Sequence, residues 1–118
     1  ELVAQAVGLG KLKVVAAVVD IHDVDHLKDT AVDVKHKLKS AIVALGAVIN
    51  EKPQIVVAVT EDLKDHYQAG KIVKELGSLM GGGGGGSAIM ATAGGRDAAK
   101  LSTAVDGTLS ILKEKFKR

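Results

Sequence analysis

Two apolar runs in the middle of the chain are separated by only four residues. They extend from Ala41 to Ile49 and from Gln54 to Thr60, and the residues between them read Asn-Glu-Lys-Pro. Runs of this length that are rich in Val, Ile and Ala are typical of β-strands, and Asn and Pro favour turns. Four residues are too few for a crossover connection, so the two strands should pair as an antiparallel hairpin.

A strand and a helix precede this hairpin. Leu12 to Val19 is a nearly unbroken apolar run rich in Val, which is the pattern of a strand buried on both faces. Apolar residues then recur at intervals of three and four from Val24 to Leu38, as they do along one face of a helix. Asp23 is placed to cap this helix, and lysines occupy its final turns. We therefore expect a mixed sheet with a helix packed against it.

The second half of the chain adds two helices and a strand. Ala69 to Met80 has the apolar spacing of a helix, and the glycine run Gly81 to Gly86 is expected to end it. Ala88 to Ala93 is a short strand candidate, and the residues 94–97, Gly-Gly-Arg-Asp, turn the chain into a last helix. The predicted order β-α-β-β-α-β-α indicates an α/β fold with helices packed on a mixed β-sheet in a single domain.

Length and composition limit the kind of protein that this chain can be. Its 118 residues suffice for one domain, and 47% apolar residues with 25% charged residues favour a soluble globular fold. No apolar stretch reaches the roughly 18 residues of a membrane span and no secretory signal is present, so we expect a cytoplasmic protein without a membrane partner. The absence of cysteine excludes a disulfide framework, a thiolate metal site and a thiol nucleophile.

The first residue is Glu1 rather than Met, which suggests a piece of a longer protein. We expect one domain over residues 1–118, in which residues 1–8 are the end of a preceding helix or a linker.

The two glycine-rich segments suggest different chemistry. The run Gly81 to Gly86 satisfies the G-x-G-x-x-G pattern, but nucleotide-binding loops lie between a strand and a following helix, and this run follows a helix. A structural role is therefore favoured there. The pair Gly94 and Gly95 does lead from a strand into a helix, so an anion could bind beside Arg96. Because Asp97 is also a natural N-cap, a purely structural turn is an equal alternative.

Candidate catalytic and metal-binding residues are few. Two histidines four residues apart lie among acidic residues in the group His22, Asp23, Asp25 and His26. The spacing is compatible with a metal site, but no third ligand group is indicated, and a helix cap with a solvated face is favoured. No G-x-S-x-G elbow and no Ser-His-acid set occurs. We expect no catalytic residue, no metal and no cofactor in this chain.

Basic residues concentrate in the C-terminal half. Residues 69–118 contain eight basic and four acidic residues, a net charge of +4, whereas residues 1–68 contain eight and ten, a net charge of −2. Such asymmetry is what a phosphate-binding surface requires, although ordinary solvated helix faces are an alternative. The aromatic residues are Tyr67 and Phe116, so base stacking is nearly unavailable and a nucleic acid would be held by its backbone.

The string GGGGGGSAIMATAGGRDAAKL resembles the glycine-rich signature near the C-terminus of alanyl-tRNA synthetases, in their C-Ala domain, which is of the DHHA1 type. The positions that match the signature are Gly81, Gly82, Gly84, Gly85, Gly86, Met90, Ala91, Ala93, Gly94, Gly95 and Asp97. The upstream segments IVVAVTEDLKDHYQAGKIVKEL and VVDIHDVDHLKDTAVDVKHKL are also similar to the family. The likeness covers nearly the whole chain.

This resemblance implies a non-catalytic, tRNA-binding accessory domain of an alanine–tRNA ligase. It would contact the outer corner of an alanine-accepting tRNA, help couple aminoacylation with editing, and adjoin the remaining domains of the parent enzyme, with a homodimer as a further partner. The implied RNA-binding residues are the basic residues and glycines in and near the signature: Lys71, Lys74, Gly84, Gly85, Gly86, Gly94, Gly95, Arg96 and Lys100.

Two other functions stay open at this stage. One is a dimerisation or interdomain scaffold with little RNA contact. The other is the accessory domain of a DHH-type phosphoesterase, which holds nucleic acid; those domains carry a His shortly after the glycine triplet, and Ser87 and its neighbours supply none. Gly83, Ser87 and Ile89 also depart from residues that are common in the synthetases, so the RNA contacts of the loop should be weaker than in the family.

Overall fold

Six strands form one sheet with helices on both faces in the computed structural model, which describes residues 6–9 and 12–115. The strands are β1 (Val7–Leu9), β2 (Leu12–Val18), β3 (Ala41–Ile49), β4 (Lys52–Val59), β5 (Gly83–Gly86) and β6 (Met90–Gly94). The α-helices are α1 (Val24–Lys37), α2 (Ala69–Leu79), α3 (Leu101–Asp106) and α4 (Thr108–Lys115), and 3₁₀ turns occupy Glu61–Leu63 and Ala98–Lys100. The strands lie side by side in the order β1, β2, β3, β4, β6, β5.

The sheet is mixed, as the sequence predicts. β2 and β3 run parallel because α1 carries the chain from one end of the sheet back to the other. The remaining neighbours pair antiparallel. The predicted α/β class is therefore confirmed.

The hairpin of β3 and β4 is tighter than predicted. Asn50 and Glu51 alone form the turn, with φ angles of 52° and 68°, which correspond to a two-residue turn with both residues in the left-handed region. Lys52 and Pro53, which the sequence places in the turn, are the first residues of β4. Ile49 consequently pairs with Lys52 across the hairpin.

The helices divide between the two faces of the sheet. α1 covers one face with Leu27, Ala31 and Val34, all buried. The other face is covered by α2, α3 and α4. β3 lies between the two layers, and every one of its residues except Val48 is buried, as its unbroken apolar run requires.

The predicted caps of two helices are confirmed. The carboxylate of Asp23 accepts a hydrogen bond from the backbone N–H of Asp25 at 3.0 Å, at the start of α1. The Asp97 carboxylate accepts one from the N–H of Ala99 at 3.0 Å, ahead of α3.

His22 lies beside Asp20, at 3.1 Å between Nε2 and Oδ1, on an exposed part of the surface. Within residues 6–9 and 12–115, no group of three or more His, Cys, Asp or Glu residues could hold a metal ion.

The glycine run differs most from its predicted structure. Gly81 and Gly82 turn the chain after α2, but Gly83–Gly86 form the edge strand β5, which pairs with β6. Glycine is depleted in strands, so its pattern does not predict one. The strand predicted over Ala88 to Ala93 is β6, which begins at Met90.

The two ends of the chain also differ from the predicted order. The predicted last helix is divided at Gly107 into α3 and α4. Val7 and Gly8, which fall within the residues 1–8 expected to be a helix remnant or linker, instead belong with Leu9 to β1, an edge strand antiparallel to β2. Residues 1–5 and 116–118 lie outside the described residues, so the helix end or linker expected over residues 1–5 stays a prediction.

Candidate nucleic-acid interface

A cleft lies between the N-terminal half of α2 and the turn that joins β5 to β6. Its volume is about 280 Å³. The residues that line it come from the start of α2 and from the end of the glycine run: Gln68, Gly70, Lys71, Lys74, Gly85, Gly86, Ser87 and Ala88. We call it the glycine cleft.

Two glycines of α2 allow the helix to approach β5 closely. Gly70 and Gly77 are seven residues apart and therefore share one helix face. A Cβ at Gly70 would lie 3.0 Å from the carbonyl oxygen of Gly86, and one at Gly77 would lie 2.8 Å from the carbonyl carbon of Gly83. The helix thus packs on the backbone of β5, and the absence of side chains on both partners sets the width of the cleft.

The glycines of β5 alternate between crowded and open positions. A Cβ at Gly84 would lie 2.7 Å from the carbonyl oxygen of Thr92 in β6. At Gly83 and Gly85 a Cβ would meet nothing within 4 Å. At Gly84, therefore, only glycine fits without a clash, whereas Gly83 and Gly85 leave their backbone next to open space.

The first backbone donors of α2 are already occupied. The N–H of Ala69 donates to the carbonyl oxygen of Ala88 at 2.8 Å, and the N–H of Gly70 donates to that of Ser87 at 3.0 Å. The Ser87 hydroxyl donates to the carbonyl of Met90 at 3.1 Å and so closes the β5–β6 turn. Because these groups satisfy one another, the capacity of the cleft for an anion depends on side-chain charge.

That charge comes from Lys71 and Lys74. Both side chains are exposed on α2, and neither shares an ion pair or a hydrogen bond with another described side chain. A lysine ammonium is a compact point charge on a flexible stem, which suits contact with a phosphate group. Two of the predicted lysines therefore lie at the mouth of a cleft lined by bare backbone.

The second glycine pair has no such arrangement. The N–H of Gly95 donates to the carbonyl of Pro53 at 3.2 Å, and that of Arg96 donates to the carbonyl of Met80 at 3.1 Å. The Asp97 carboxylate binds the N–H of Ala99, so the N–H groups of Gly95, Arg96 and Ala99 are engaged within the protein, which favours the structural alternative. Arg96 and Lys100 are exposed but do not line the glycine cleft.

The nine predicted residues thus fall into two groups. Lys71, Lys74, Gly85 and Gly86 line the cleft, and Gly84 is next to them in β5. The others lie toward the far end of α2, because Arg96 bonds to Met80, nine residues or about 14 Å along the helix from Lys71. They are Gly94, Gly95 and Arg96, and Lys100 follows them in the 3₁₀ turn Ala98–Lys100.

Gly70 and Gly77, which position the cleft, were not predicted. The sequence does contain a signal for them, because two glycines lie seven residues apart inside an otherwise good helix. Glycine lowers the stability of a helix, so close packing at these two positions must offset that loss.

Aromatic stacking is limited in this part of the protein. Tyr67 is 6% exposed, and Phe116 lies outside the described residues. No helix in the described part of the chain is long and apolar enough to span a membrane.

Comparison with known proteins identifies the family. The DHHA1 domain model matches residues 11–115. The alanine–tRNA ligase of Geobacillus thermodenitrificans is 47% identical over 106 residues, which cover 89% of this chain and 12% of that protein. The ligase of Polaromonas naphthalenivorans is 42% identical over 116 residues, which cover 98% and 13%. The chain belongs to the DHHA1 domain family.

Solved structures agree with this assignment. The C-Ala domain of Aquifex aeolicus alanyl-tRNA synthetase matches with a TM-score of 0.81 and 25% identity, over 91% of this chain and 96% of that domain. The resemblance to the C-Ala domain is therefore confirmed, and the chain corresponds to the accessory domain rather than to the catalytic domain of such ligases. The chain spans 12–13% of the length of the two ligases.

A second structural match concerns the fold alone. It is the DHH domain of a protein described as a member of a family of ribosomal proteins, with a TM-score of 0.65 and 14% identity, over 99% of this chain and 29% of that protein.

Proposed function

We propose that this domain binds the tRNA of a parent alanine–tRNA ligase, with phosphate groups held at the glycine cleft. The observation that carries the proposal is the position of Lys71 and Lys74 at the mouth of a cleft whose other wall is bare glycine backbone. Alanine–tRNA ligases are the relatives that resemble the chain over 89–98% of its length, which supports tRNA as the ligand.

Recognition by shape and phosphate follows from the residues available. The lysines provide charge, and Gly84, Gly85 and Gly86 let the sugar-phosphate backbone approach without side-chain obstruction. Since Tyr67 is buried, base stacking contributes little and base identity should matter little. The N–H groups of Gly95 and Arg96 bond within the protein, and Arg96 and Lys100 lie outside the cleft, so the proposed contact is centred on Lys71, Lys74 and the glycines of β5.

The finer parts of the proposal concern the parent enzyme. The expected RNA is an alanine-accepting tRNA, bound at its outer corner in the cytoplasm, and the domain would help couple aminoacylation with editing by holding tRNA beside the remaining domains. Their support is the likeness to the C-Ala domain and to the ligases.

A titration of the 118-residue chain with tRNA at several salt concentrations tests the proposal. Replacing both Lys71 and Lys74 by Gln should weaken the binding of different tRNAs about equally and reduce the slope of log K against log salt by about two. The matched control is Lys28→Gln/Lys52→Gln, which removes the same charge elsewhere. No binding at low salt, a flat salt response, or equal behaviour of the two double variants would contradict the proposal.

A scaffold or dimerisation role is the second candidate, and one observation favours it. Val18 and Val48 are 48% and 42% exposed, and together with Ile21 they line an apolar surface at the opposite end of the sheet from the glycine cleft. Sedimentation of the chain with and without tRNA separates the two functions. A stable dimer that does not bind tRNA would favour the scaffold.

A further inference from the structure

Three lysines surround a second concave surface of the domain. Lys13 on β2, Lys37 at the end of α1 and Lys39 in the following turn line a cavity of about 310 Å³, together with Leu38 and Ser40. The three lysine side chains are exposed, and none shares an ion pair or hydrogen bond with another described side chain. We call these three residues the lysine cluster.

We propose that the lysine cluster is a second binding site for the phosphate backbone of the RNA that occupies the glycine cleft. The inference rests on the proposed function and defines the surface that the RNA covers. Three exposed lysines around one cavity, none of them in an ion pair with a described carboxylate, favour a ligand with several negative charges, and a folded RNA that already contacts the domain supplies them.

The sheet brings the two surfaces to the same end of the molecule. Lys13 pairs with Ala41, so β2 and β3 begin together, and β4 ends there because Ile42 pairs with Val59. β6 begins at this end as well, since its first residue pairs with Ala58 near the end of β4. β2 and β5 are separated by four strand spacings, or about 19 Å, and α1 and α2 cover opposite faces of the sheet, so one RNA must pass around this end of the sheet to contact both surfaces.

The helix dipole alone does not explain the cluster. Lysines near the end of α1 are expected at the negative end of its dipole. Lys13 comes from a strand, however, and the fold brings it to the same cavity. Lys39 has a φ of 26°, a conformation in which glycine or asparagine is common after a helix and lysine is not. Backbone strain of this kind is frequent at functional sites.

Acidic residues lie between the two basic surfaces, and two of them have partners. The carboxylate of Asp62 accepts a hydrogen bond from the Ser40 hydroxyl at 2.5 Å, and Glu61 pairs with Lys64 at 3.2 Å. Asp65 lies on the same loop. This loop divides the basic surface, so we expect the RNA to contact each side through separate phosphates.

The test compares three double variants of the 118-residue chain in tRNA titrations across salt. Lys37→Gln/Lys39→Gln removes two charges from the lysine cluster, Lys71→Gln/Lys74→Gln neutralises the glycine cleft, and Lys28→Gln/Lys52→Gln is the charge-matched control. Each of the first two should reduce the slope of log K against log salt by about two relative to the control. Circular dichroism checks that each variant is folded.

Crosslinking provides a second measurement that does not depend on affinity. Because the chain has no cysteine, Lys39→Cys, Lys71→Cys and Lys52→Cys can each carry a single photoreactive group. We expect positions 39 and 71 to crosslink to bound tRNA and position 52 not to.

The outcomes separate the two proposals. If the wild-type chain binds tRNA and position 71 crosslinks, but position 39 does not and the cluster variant matches the control, the lysine cluster is not an RNA site and the proposed function stands. If the cluster responds and the cleft does not, the cleft assignment is wrong, and the inference that one RNA covers both surfaces is overturned with it. A chain that binds no tRNA at low salt overturns both.

Discussion

Replacing Gly77 by Ala inserts a methyl group where α2 touches β5. The new Cβ would lie 2.8 Å from the carbonyl carbon of Gly83 and 2.9 Å from its Cα and its carbonyl oxygen. These are backbone atoms that cannot rotate away. Ordinary carbon contacts are about 3.5–4.0 Å, so α2 and β5 must separate by roughly 1 Å.

The expected change in the free energy of unfolding has two opposing parts. Overpacking of this kind costs about 1–3 kcal/mol, and three backbone atoms within 2.9 Å place Gly77→Ala in the upper part of this range. Alanine is favoured over glycine within a helix by about 1 kcal/mol. The net loss should be about 1–2 kcal/mol, which lowers the Tm by roughly 4–8 °C in a domain of this size.

Urea unfolding followed by circular dichroism measures this loss. The matched control is Ser78→Ala, the next residue of α2, whose side chain is exposed and whose replacement changes helix propensity without a clash. The control should be as stable as the wild type or slightly more so. A Gly77→Ala variant that is as stable as Ser78→Ala would refute close backbone packing of α2 on β5.

Three further predictions concern stability. Gly84→Ala should destabilise the domain by about 1–3 kcal/mol because its Cβ meets β6, whereas Gly85→Ala, which points into open space, should be nearly neutral in the same urea assay; equal losses would contradict the alternation in β5. The hydrogen bond from the Ser40 hydroxyl lowers the pKa of Asp62 below its ordinary value of 3.8, so this carboxylate stabilises the fold above that pH, and the stability is lost as the pH falls through the lowered pKa. Ser40→Ala should therefore be less stable than the wild type at about pH 7 and approach it in acid, and a difference that persists unchanged into acid would oppose the assignment. Asp97→Ala should cost about 1 kcal/mol through loss of the cap, and an unchanged urea midpoint would contradict that role.

The elements with strong apolar periodicity could be predicted from the sequence. β3 has the predicted limits, Ala41–Ile49, because a strand buried on both faces must be apolar throughout. The caps Asp23 and Asp97 were also predictable, since their bonds are local. The hairpin followed from the four-residue separation, although the left-handed Asn50–Glu51 turn is shorter than the sequence indicates.

β5 could not be predicted from local preference. A run of glycines has the poorest strand propensity, and tertiary packing against α2 and β6 alone makes it a strand. The strand depends on two glycines of another element, Gly70 and Gly77 of α2, which let the helix pack on the backbone of β5. Its prediction therefore requires that helix and strand be considered together.

The net charge of each half of the sequence indicated the lysines of the glycine cleft but not those of the lysine cluster. The net charge of +4 over residues 69–118 led to Lys71 and Lys74. The same count gave −2 for residues 1–68 and concealed the lysine cluster, because Lys13 and Lys39 are brought together only by the parallel pairing of β2 and β3. Linear charge does not report where side chains converge in space.

An NMR titration of the isotopically labelled chain with tRNA tests the central claim most directly, because glycine amides have distinctive nitrogen shifts. Bound RNA should shift or broaden the amide signals of Gly85, Gly86, Lys71 and Lys74, while signals near the Asn50–Glu51 turn, at the opposite end of the sheet, stay unchanged. Perturbations confined to that opposite end, or none at saturating tRNA, would contradict phosphate binding at the glycine cleft.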